Sequence, residues 1–328
     1  MKLQKKIITN KDLSKINSLK ISVKAKYYIE CKTDSDIEEA FQFIKKNKIK
    51  FLILGEGTNV FFTKPFEGLI IKNLFKAEKK LYKNKVKISS GYNWDRFVRF
   101  CIKNSLYGLE NLSGIPGTVG AGPIQNIGAY GEEIADYIEH IEVFNFKTGN
   151  IEILNNMNCN FDYRNSLFKK HKHLFIKNIF FKLKDKFIAN NSYQDLQVYK
   201  FKKASELRER VIKIRNQKLE NHLTKPNVGS FFKNPLIEKK DLKKILSQEA
   251  DLKFYKHNEF IKLSAAWLIE KCNLKGLKFN KARVSKKHSL VIINEDKSPN
   301  SILKLKNKIK TKVLTKYNIK LEEEPTII

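Results

Sequence analysis

The chain has 328 residues, 41% of them hydrophobic and 30% charged, with 65 basic against 34 acidic residues for a formal net charge of +31. That is apolar material enough for about two domains with proper cores, which excludes a disordered or tethered peptide. The charge by itself would suggest nucleic acid or an acidic membrane surface, but only seven of the basic residues are arginine, and Lys, Asn and Ile are abundant together along the whole length, as a nucleotide-biased genome would produce. No basic helix and no strip of interleaved aromatics for base stacking stands out.

The chain starts Met-Lys-Leu-Gln-Lys-Lys, without the apolar stretch of a secretory leader, and no run of about 18 apolar residues occurs. A cytoplasmic, soluble protein is expected. Ser35 with Glu38 reads as a capping box ahead of Ile37, Ala40, Phe41 and Ile44, an amphipathic helix. The run Phe51-Leu52-Ile53-Leu54 then reads as a buried strand ending in the turn Gly55-Glu56-Gly57-Thr58-Asn59. A second helix is expected from Trp94 to Ile102. Six of the 14 glycines fall between residues 110 and 131.

Ile141 to Phe146 and Ile151 to Leu154 alternate around Thr148-Gly149-Asn150 as a hairpin. The sequence turns polar over residues 184 to 205, where a domain boundary is expected. Beyond it, Ile261, Ala265, Leu268, Ile269 and Cys272 predict a helix over 261 to 272, with Gly276 past its end. Ser301 is expected to cap a helix carrying Ile302, Leu305, Ile309 and Val313, and Tyr317, Ile319 and Leu321 alternate as a final strand running into an acidic tail. The mixture is α+β. Cysteines 31, 101, 159 and 272 are isolated, which speaks against disulfides and against a metal site.

Glycine carries a high entropic cost, so a cluster such as Gly114, Gly117, Gly120, Gly122, Gly128 and Gly131 marks backbone that takes positive φ or lies against a ligand. Bare amides in such a loop make a nest for a diphosphate; the alternative is a plain surface loop. Neither the P-loop nor the Rossmann glycine pattern is present. Arg164 can clamp a carboxylate with two parallel bonds where a lysine offers a point charge, or it can be an ordinary surface ion pair. Ser230 reads from its residue type as a turn serine, and Glu324 as part of a solvated acidic end.

Leu54-Gly55-Glu56-Gly57-Thr58-Asn59-Val60, Gly114-Ile115-Pro116-Gly117-Thr118-Val119-Gly120 and Gln125-Asn126-Ile127-Gly128-Ala129-Tyr130-Gly131 resemble the FAD-binding segments of the UDP-N-acetylenolpyruvoylglucosamine reductase family. In the same order come Tyr163-Arg164-Asn165-Ser166-Leu167-Phe168-Lys169, Gly229-Ser230-Phe231-Phe232-Lys233-Asn234-Pro235, Ala265-Ala266-Trp267-Leu268-Ile269-Glu270 and the tail Leu321-Glu322-Glu323-Glu324. The likeness runs from about residue 50 to the C-terminus. It implies a two-part FAD-binding domain of the p-cresol methylhydroxylase type over 18–187, a smaller α+β substrate-binding domain over 206–320, and a tail, 321–328, that returns to the active site.

The implied cofactor is non-covalent FAD, held by Gly55, Gly57, Thr58, Asn59, Gly114, Ile115, Pro116, Gly117, Thr118, Gly120, Gln125, Asn126, Gly128, Ala129 and Tyr130, with NADPH as hydride donor and no metal. The implied reaction, a step of peptidoglycan precursor synthesis serving cell-wall growth, cell shape and division, reduces UDP-N-acetylglucosamine-enolpyruvate to UDP-N-acetylmuramate. Arg164, Ser230 and Glu324 match the family's catalytic positions, with Ser230 as the proton donor to C2. Tyr163, Tyr193, Lys218, Asn234 and His288 match substrate contacts, Tyr193 in the longer of the family's two types. A monomer is expected, with no nucleic-acid or membrane partner.

Two departures from the family pattern are visible. Glu323 stands where the family's Leu-Glu-Pro-Glu has proline, so that either Glu322 or Glu324 is open as the inward residue, and Asn221-His222-Leu223-Thr224 reads as a small insertion near Lys218. Two other readings stand beside the leading one. The first is a different flavoprotein oxidase or dehydrogenase with the same kind of FAD domain; the second is a lysine-rich nucleic-acid-binding protein without catalysis.

Overall fold

The computed structural model describes residues 6–328, so the first five residues of the stretch read for a leader lie outside it. The described residues form two compact units: one of residues 6–11, 24–57 and 66–215, the other of 12–23, 58–65 and 216–328. The units are not contiguous in sequence, unlike the ranges expected above. The division near residue 215 also falls inside a helix, Ala204–Lys218, and not in the polar stretch before it.

The first unit has two sheets. In one, the strand Phe66–Asn73 runs parallel to both Lys24–Cys31 and Phe51–Leu54, with Ile8–Asp12 at the edge. Burial on both faces suits the apolar run Leu69-Ile70-Ile71, each residue of it fully buried. The helix Asp34–Asn47 packs Ile37, Ala40, Phe41 and Ile44 against this sheet. Its cap is Thr33, not Ser35: the Asp36 amide donates to Thr33 Oγ1 at 3.3 Å, and the Thr33 amide donates to Asp36 Oδ2 at 2.9 Å. The box therefore closes two residues earlier than the sequence suggested, because Thr33 is where the chain is still extended on leaving its strand.

The other sheet is antiparallel, in the order Ile151–Asn155, Ile138–Asn145, Leu174–Lys182, Lys85–Ser89, Lys79–Tyr82. It contains the expected hairpin, turned at Gly149 with φ 80°. The expected helix is present as Trp94–Lys103, capped by Asn93, and its Trp94, Phe97, Val98 and Cys101 fill the core with Ile141, Ile176 and Phe181.

In the second unit the structure differs from the sequence reading at three places. The helix expected over 261–272 is only Ala265–Lys271, and Ile261 lies in the strand Phe260–Leu263, between Leu236–Glu238 and Phe254–His257. Ile261 and Leu263 are buried there at period two, and the Ser264 cap resets the chain to helix. Ser301 sits inside the first turn of the helix Asn300–Tyr317, where its Oγ accepts the Lys281 amide at 3.3 Å, and the cap position is Pro299. Tyr317 ends that helix and Asn318 takes the left-handed conformation with φ 55°, so residues 317–321 are no strand. Ile302, Leu305, Ile309 and Val313 form the buried face of the helix as expected.

The strand of the C-terminal region is Thr326–Ile327, parallel to Val60–Phe61. That pairing is what places the short segment 58–65 in the second unit.

Replacing Thr33 by alanine is expected to lower stability by about 1 kcal/mol in a denaturant titration, whereas Ser35→Ala stays within about 0.5 kcal/mol. Equal losses from the two would show that the cap had been misplaced.

Candidate functional site

In the first unit the strand Phe51–Leu54 delivers Gly55 and Gly57, the latter with φ 71°. A Cβ at Gly55 would lie 2.9 Å from Thr118 Oγ1, so this turn and the glycine loop approach as bare backbone. Lys72 is buried and donates its ammonium to the Gly55 carbonyl at 2.5 Å. Burial lowers the Lys72 pKa, opposed by the Glu56 carboxylate.

The loop itself is held from behind. The Val119 amide donates to the Tyr92 carbonyl and the Gly120 amide to the Ser90 carbonyl, both at 2.8 Å, and Asn93 bridges to Thr118. A Cβ at Gly120 would come within 2.4 Å of Ser90 Cβ, so no side chain fits there. The Trp94 indole N–H donates to the Leu112 carbonyl at 2.8 Å, and the Asp95 carboxylate accepts the Gly114 amide at 2.6 Å. Arg208 grips both oxygens of Asp95 at 2.7 Å. Burial would raise the Asp95 pKa, but the Arg208 fork and the Gly114 amide outweigh it and hold the carboxyl below its usual range.

The Tyr163–Lys169 segment docks on the far end of the same loop. Arg164 Nη2 donates to the Gly128 carbonyl at 2.7 Å, and Ser166 Oγ donates to the Ile124 carbonyl at 2.7 Å. Arg164 itself is left-handed, φ 51°, with its carbonyl accepting the Lys169 ammonium at 2.7 Å and its guanidinium 5.4 Å from the Tyr163 ring centroid. The Asn126 side-chain amide bonds Glu133 Oε2 at 2.6 Å and the Asp162 carbonyl at 3.3 Å, so it braces the loop. Tyr130 and Tyr193 meet edge to face at 5.3 Å.

In the second unit, Gly229 has φ 73° and open space around it, so its backbone conformation and not crowding accounts for the glycine. Ser230 bridges Val291, and the Phe231 amide donates to the Leu290 carbonyl at 2.7 Å. Phe231 and Phe232 are buried, with Phe61 5.8 Å from Phe231. On the other side of this segment runs the C-terminal tail: the Lys233 amide donates to the Glu322 carbonyl at 2.9 Å, and the Glu324 amide to the Phe231 carbonyl at 3.0 Å. Asn59 Nδ2 donates to the Glu324 carbonyl at 3.5 Å, and the Asn59 carbonyl accepts the Thr326 amide at 3.0 Å.

The Glu322 side chain is 75% exposed and pairs with Lys233, whereas Glu324 is half-buried. Asn234 Oδ1 accepts the Ala265 amide at 3.0 Å, and His288 Nδ1 accepts the Leu290 amide at 3.2 Å. Burial pulls the His288 pKa down, against the pull of Glu270.

The expected residues thus fall into two groups, one in each unit. Gly55, Gly57, the 114–130 loop, Tyr163, Arg164 and Tyr193 belong to the first; Thr58, Asn59, Lys218, Ser230, Asn234, His288 and Glu324 belong to the second. Sequence reading missed Lys72, which holds the Gly55 turn, and Asp95, Arg208 and Asn111, which hold the loop, Asn111 by donating its side-chain amide to the Tyr130 carbonyl at 2.7 Å. Arg208 could have been found: it is one of only seven arginines and shares a helix with the buried Leu207, Val211 and Ile214.

Buried polar atoms identify what this loop can carry. Ser113 Oγ and Thr118 Oγ1 are buried with no hydrogen-bond partner among the described residues, in the loop whose glycines exclude side chains. Hydroxyl donors on tight backbone fit an anionic group with many acceptors, such as a dinucleotide diphosphate. Among the described residues, no group of three or more His, Cys, Asp or Glu side chains could hold a metal ion. No helix among them is long and apolar enough to cross a membrane.

Residues 25–155 match the family described as FAD binding domain, and residues 221–328 match the UDP-N-acetylenolpyruvoylglucosamine reductase C-terminal domain. The UDP-N-acetylenolpyruvoylglucosamine reductase of Buchnera aphidicola subsp. Baizongia pistaciae is 38% identical over 327 residues, covering 96% of this chain and 98% of its own. The protein of the same name from Pseudoalteromonas translucida is 37% identical, covering 88% of this chain and 90% of its own. Among solved structures, the UDP-N-acetylenolpyruvylglucosamine reductase (MurB) of Thermus caldophilus superposes with a TM-score of 0.69 at 20% identity, covering 98% of this chain and 97% of that one, and so shares its fold.

Asp95→Asn is expected to weaken FAD binding by about tenfold, since a charged hydrogen bond to the loop is worth about 1.5 kcal/mol. Titrating the apoprotein with FAD and following flavin fluorescence checks this, and an unchanged Kd would mean the loop keeps its shape without that anchor.

Proposed function

The chain belongs to the UDP-N-acetylenolpyruvoylglucosamine reductase family, with that family's FAD-binding domain, and from that premise we propose that it uses NADPH to reduce UDP-N-acetylglucosamine-enolpyruvate to UDP-N-acetylmuramate. It does so in the cytoplasm, as a monomer supplying peptidoglycan precursor. One observation carries the reading: the C-terminal tail is hydrogen-bonded beside the Gly229–Asn234 segment, with the Glu324 amide on the Phe231 carbonyl. A carboxylate and a hydroxyl that sequence type alone would leave as a solvated end and a turn serine are thereby set on adjacent extended segments.

FAD, which the two glycine turns would hold, would supply the hydride that reduces the enolpyruvyl double bond. Negative charge then develops at C2 and its carboxylate, so the site needs a cation there and a proton source. Arg164 stabilises the enolate. A guanidinium fixed by its Gly128 bond and lying 5.4 Å from the Tyr163 ring centroid is oriented before substrate arrives, so little ordering is left for the reaction itself. Ser230 delivers the proton to C2, next to Phe231 and Phe232, which keep their side of the segment dry. Glu324 assists the enolate or the proton delivery. Its half-burial and the exposure of Glu322 support Glu324 as the inward residue.

Tyr163, Tyr193, Lys218, Asn234 and His288 bind the nucleotide substrate. Lys218 and Tyr193 suit its diphosphate, and His288, kept neutral by burial, suits a hydrogen bond to an uncharged part. The lysine-rich surface adds a long-range attraction for a substrate with two phosphates and a carboxylate. The cofactor residues are those of the two glycine turns, from Gly55 to Asn59 and from Gly114 to Tyr130, with the Thr118 hydroxyl as a donor.

An anaerobic spectrum tests the whole reading: the flavin bleaches with NADPH and recovers its colour when UDP-N-acetylglucosamine-enolpyruvate is added. A flavin that bleaches but ignores the enolpyruvyl nucleotide would assign another substrate. Ser230→Ala is expected to leave reduction by NADPH near normal and to slow reoxidation by substrate about 10²- to 10⁴-fold; a smaller loss removes Ser230 as the acid. Arg164→Lys keeps charge but loses the two-pronged geometry, so turnover should fall at least about tenfold, and unchanged turnover would end its role as the clamp.

A further inference from the structure

Glu323 stands at the tail position where the family pattern has proline, and its carboxylate is occupied. Oε1 accepts from the Lys306 ammonium at 2.7 Å and from Lys310 at 3.0 Å, and Oε2 accepts from Lys310 at 3.1 Å. The side chains are withdrawn from water, with Glu323 17% and Lys306 14% exposed and Lys310 35%. Burial would raise the Glu323 pKa, and the two lysines more than offset it. Lys306 and Lys310 are one turn apart on the helix Asn300–Tyr317, so a single helix face presents both.

We propose that Glu323, Lys306 and Lys310 are positioning residues: a clamp that sets the register of the tail and so presents Glu324, a role that rests on the catalytic reading of Glu324 above. The tail needs such a device. Its bridge to Phe232 is of the kind in which the two opposed residues exchange no backbone bond; the bonds flank it, at Lys233 to Glu322 and at Glu324 to Phe231. Side chains alternate in an extended segment, so Glu323 faces opposite to Glu322 and Glu324.

A slip of one residue would turn every side chain to the other face. With three glutamates in a row, a diffuse positive surface could not tell the correct register from the slipped one. Two lysines converging from one helix face onto both oxygens of a single carboxylate add to the register set by Thr326–Ile327 on Val60–Phe61: a one-residue slip would bring Glu322 or Glu324 to the same lysines but would break that pairing. Pro325 restricts Glu324 from its C-terminal side, and the clamp does so from its N-terminal side.

A surface ion pair would contribute little. This one is largely buried, and removing the carboxylate would strand two lysine charges, which is the expensive case.

The test uses the full-length, FAD-loaded enzyme in four forms: Glu323→Ala, the double variant Lys306→Ala with Lys310→Ala, Glu323→Pro, and Glu324→Gln. Two quantities are read: hydrogen–deuterium exchange of the peptide covering residues 322–328, and the rate at which UDP-N-acetylglucosamine-enolpyruvate reoxidises the reduced flavin, resolved into apparent affinity and limiting rate. Glu323→Ala and the lysine pair are expected to speed tail exchange by about tenfold or more and to lower the limiting rate by about tenfold, with NADPH reduction of the flavin unaffected.

Proline at 323 removes neither flanking backbone bond and stiffens the chain by itself, so Glu323→Pro should recover most of the lost rate. That rescue is something a general loss of stability would not show. Exchange and limiting rate within about twofold of the parent in Glu323→Ala would overturn the clamp, as would an equal slowing of the NADPH step. If Glu324→Gln leaves reoxidation unchanged, the reading of Glu324 falls instead, and faster exchange in Glu323→Ala would then identify a tail anchor without a catalytic consequence.

Discussion

An extended chain end has no ladder of its own, so each amide and carbonyl that it takes out of water must find a partner elsewhere in the sequence. In the second unit the tail finds two in succession. Glu322 and Glu324 pair with the 231–233 segment; then Thr326 and Ile328 donate to Asn59 and Phe61, and Thr63 donates back to Ile328. The second unit depends on this. It is the reason a segment of eight residues, 58–65, leaves its neighbours in sequence and belongs with residues hundreds of positions away. The same pairing puts Glu324 next to the Ser230 segment, which is the premise of the proposed chemistry.

The glycine loop of the first unit obeys the same accounting with other means. Its backbone is bonded by side chains standing behind it: Asp95 at Gly114, Asn111 at Tyr130 at 2.7 Å, Arg164 at Gly128. Side chains from outside the loop do the holding, so it can consist of glycine, proline and small residues and still have one shape. Rigid support behind a small-residue surface is what allows its open side to consist of backbone and short hydroxyls such as Thr118.

Lysine abundance hides specific work. Most of the lysines are a solvated surface charge, and on composition alone they read as drift. Yet Lys72 is buried on the Gly55 carbonyl, Lys169 holds the Arg164 carbonyl, and Lys306 and Lys310 grip Glu323. These lysines neutralise backbone oxygens and one carboxylate at the places where both turns and the tail are set. No count of charges could distinguish them from the rest, because the distinction is burial.

Much of the chain was legible in the sequence. The α+β class, the strand at 51–54, the helix after Asn93, the 141–154 hairpin and the buried face of the last helix all follow from local periodicity, and the ordered motifs carry the family. What the sequence misjudged are places where two local rules compete. Ser35 and Thr33 are both good caps, and only the strand exit decided for Thr33; Ile261 fits a helical face as well as a strand, and only its two neighbouring strands decided. The bonding of Asp95 with Arg208 and that of Glu323 with two lysines lay beyond any reading of spacing, since each joins residues brought together by long-range backbone pairing or helix packing. The sequence by itself determined which family the chain belongs to. Only the tertiary structure decided which glutamate is clamped, which is exposed and which bonds the Phe231 carbonyl, because in an extended chain a shift of one residue reverses every side chain.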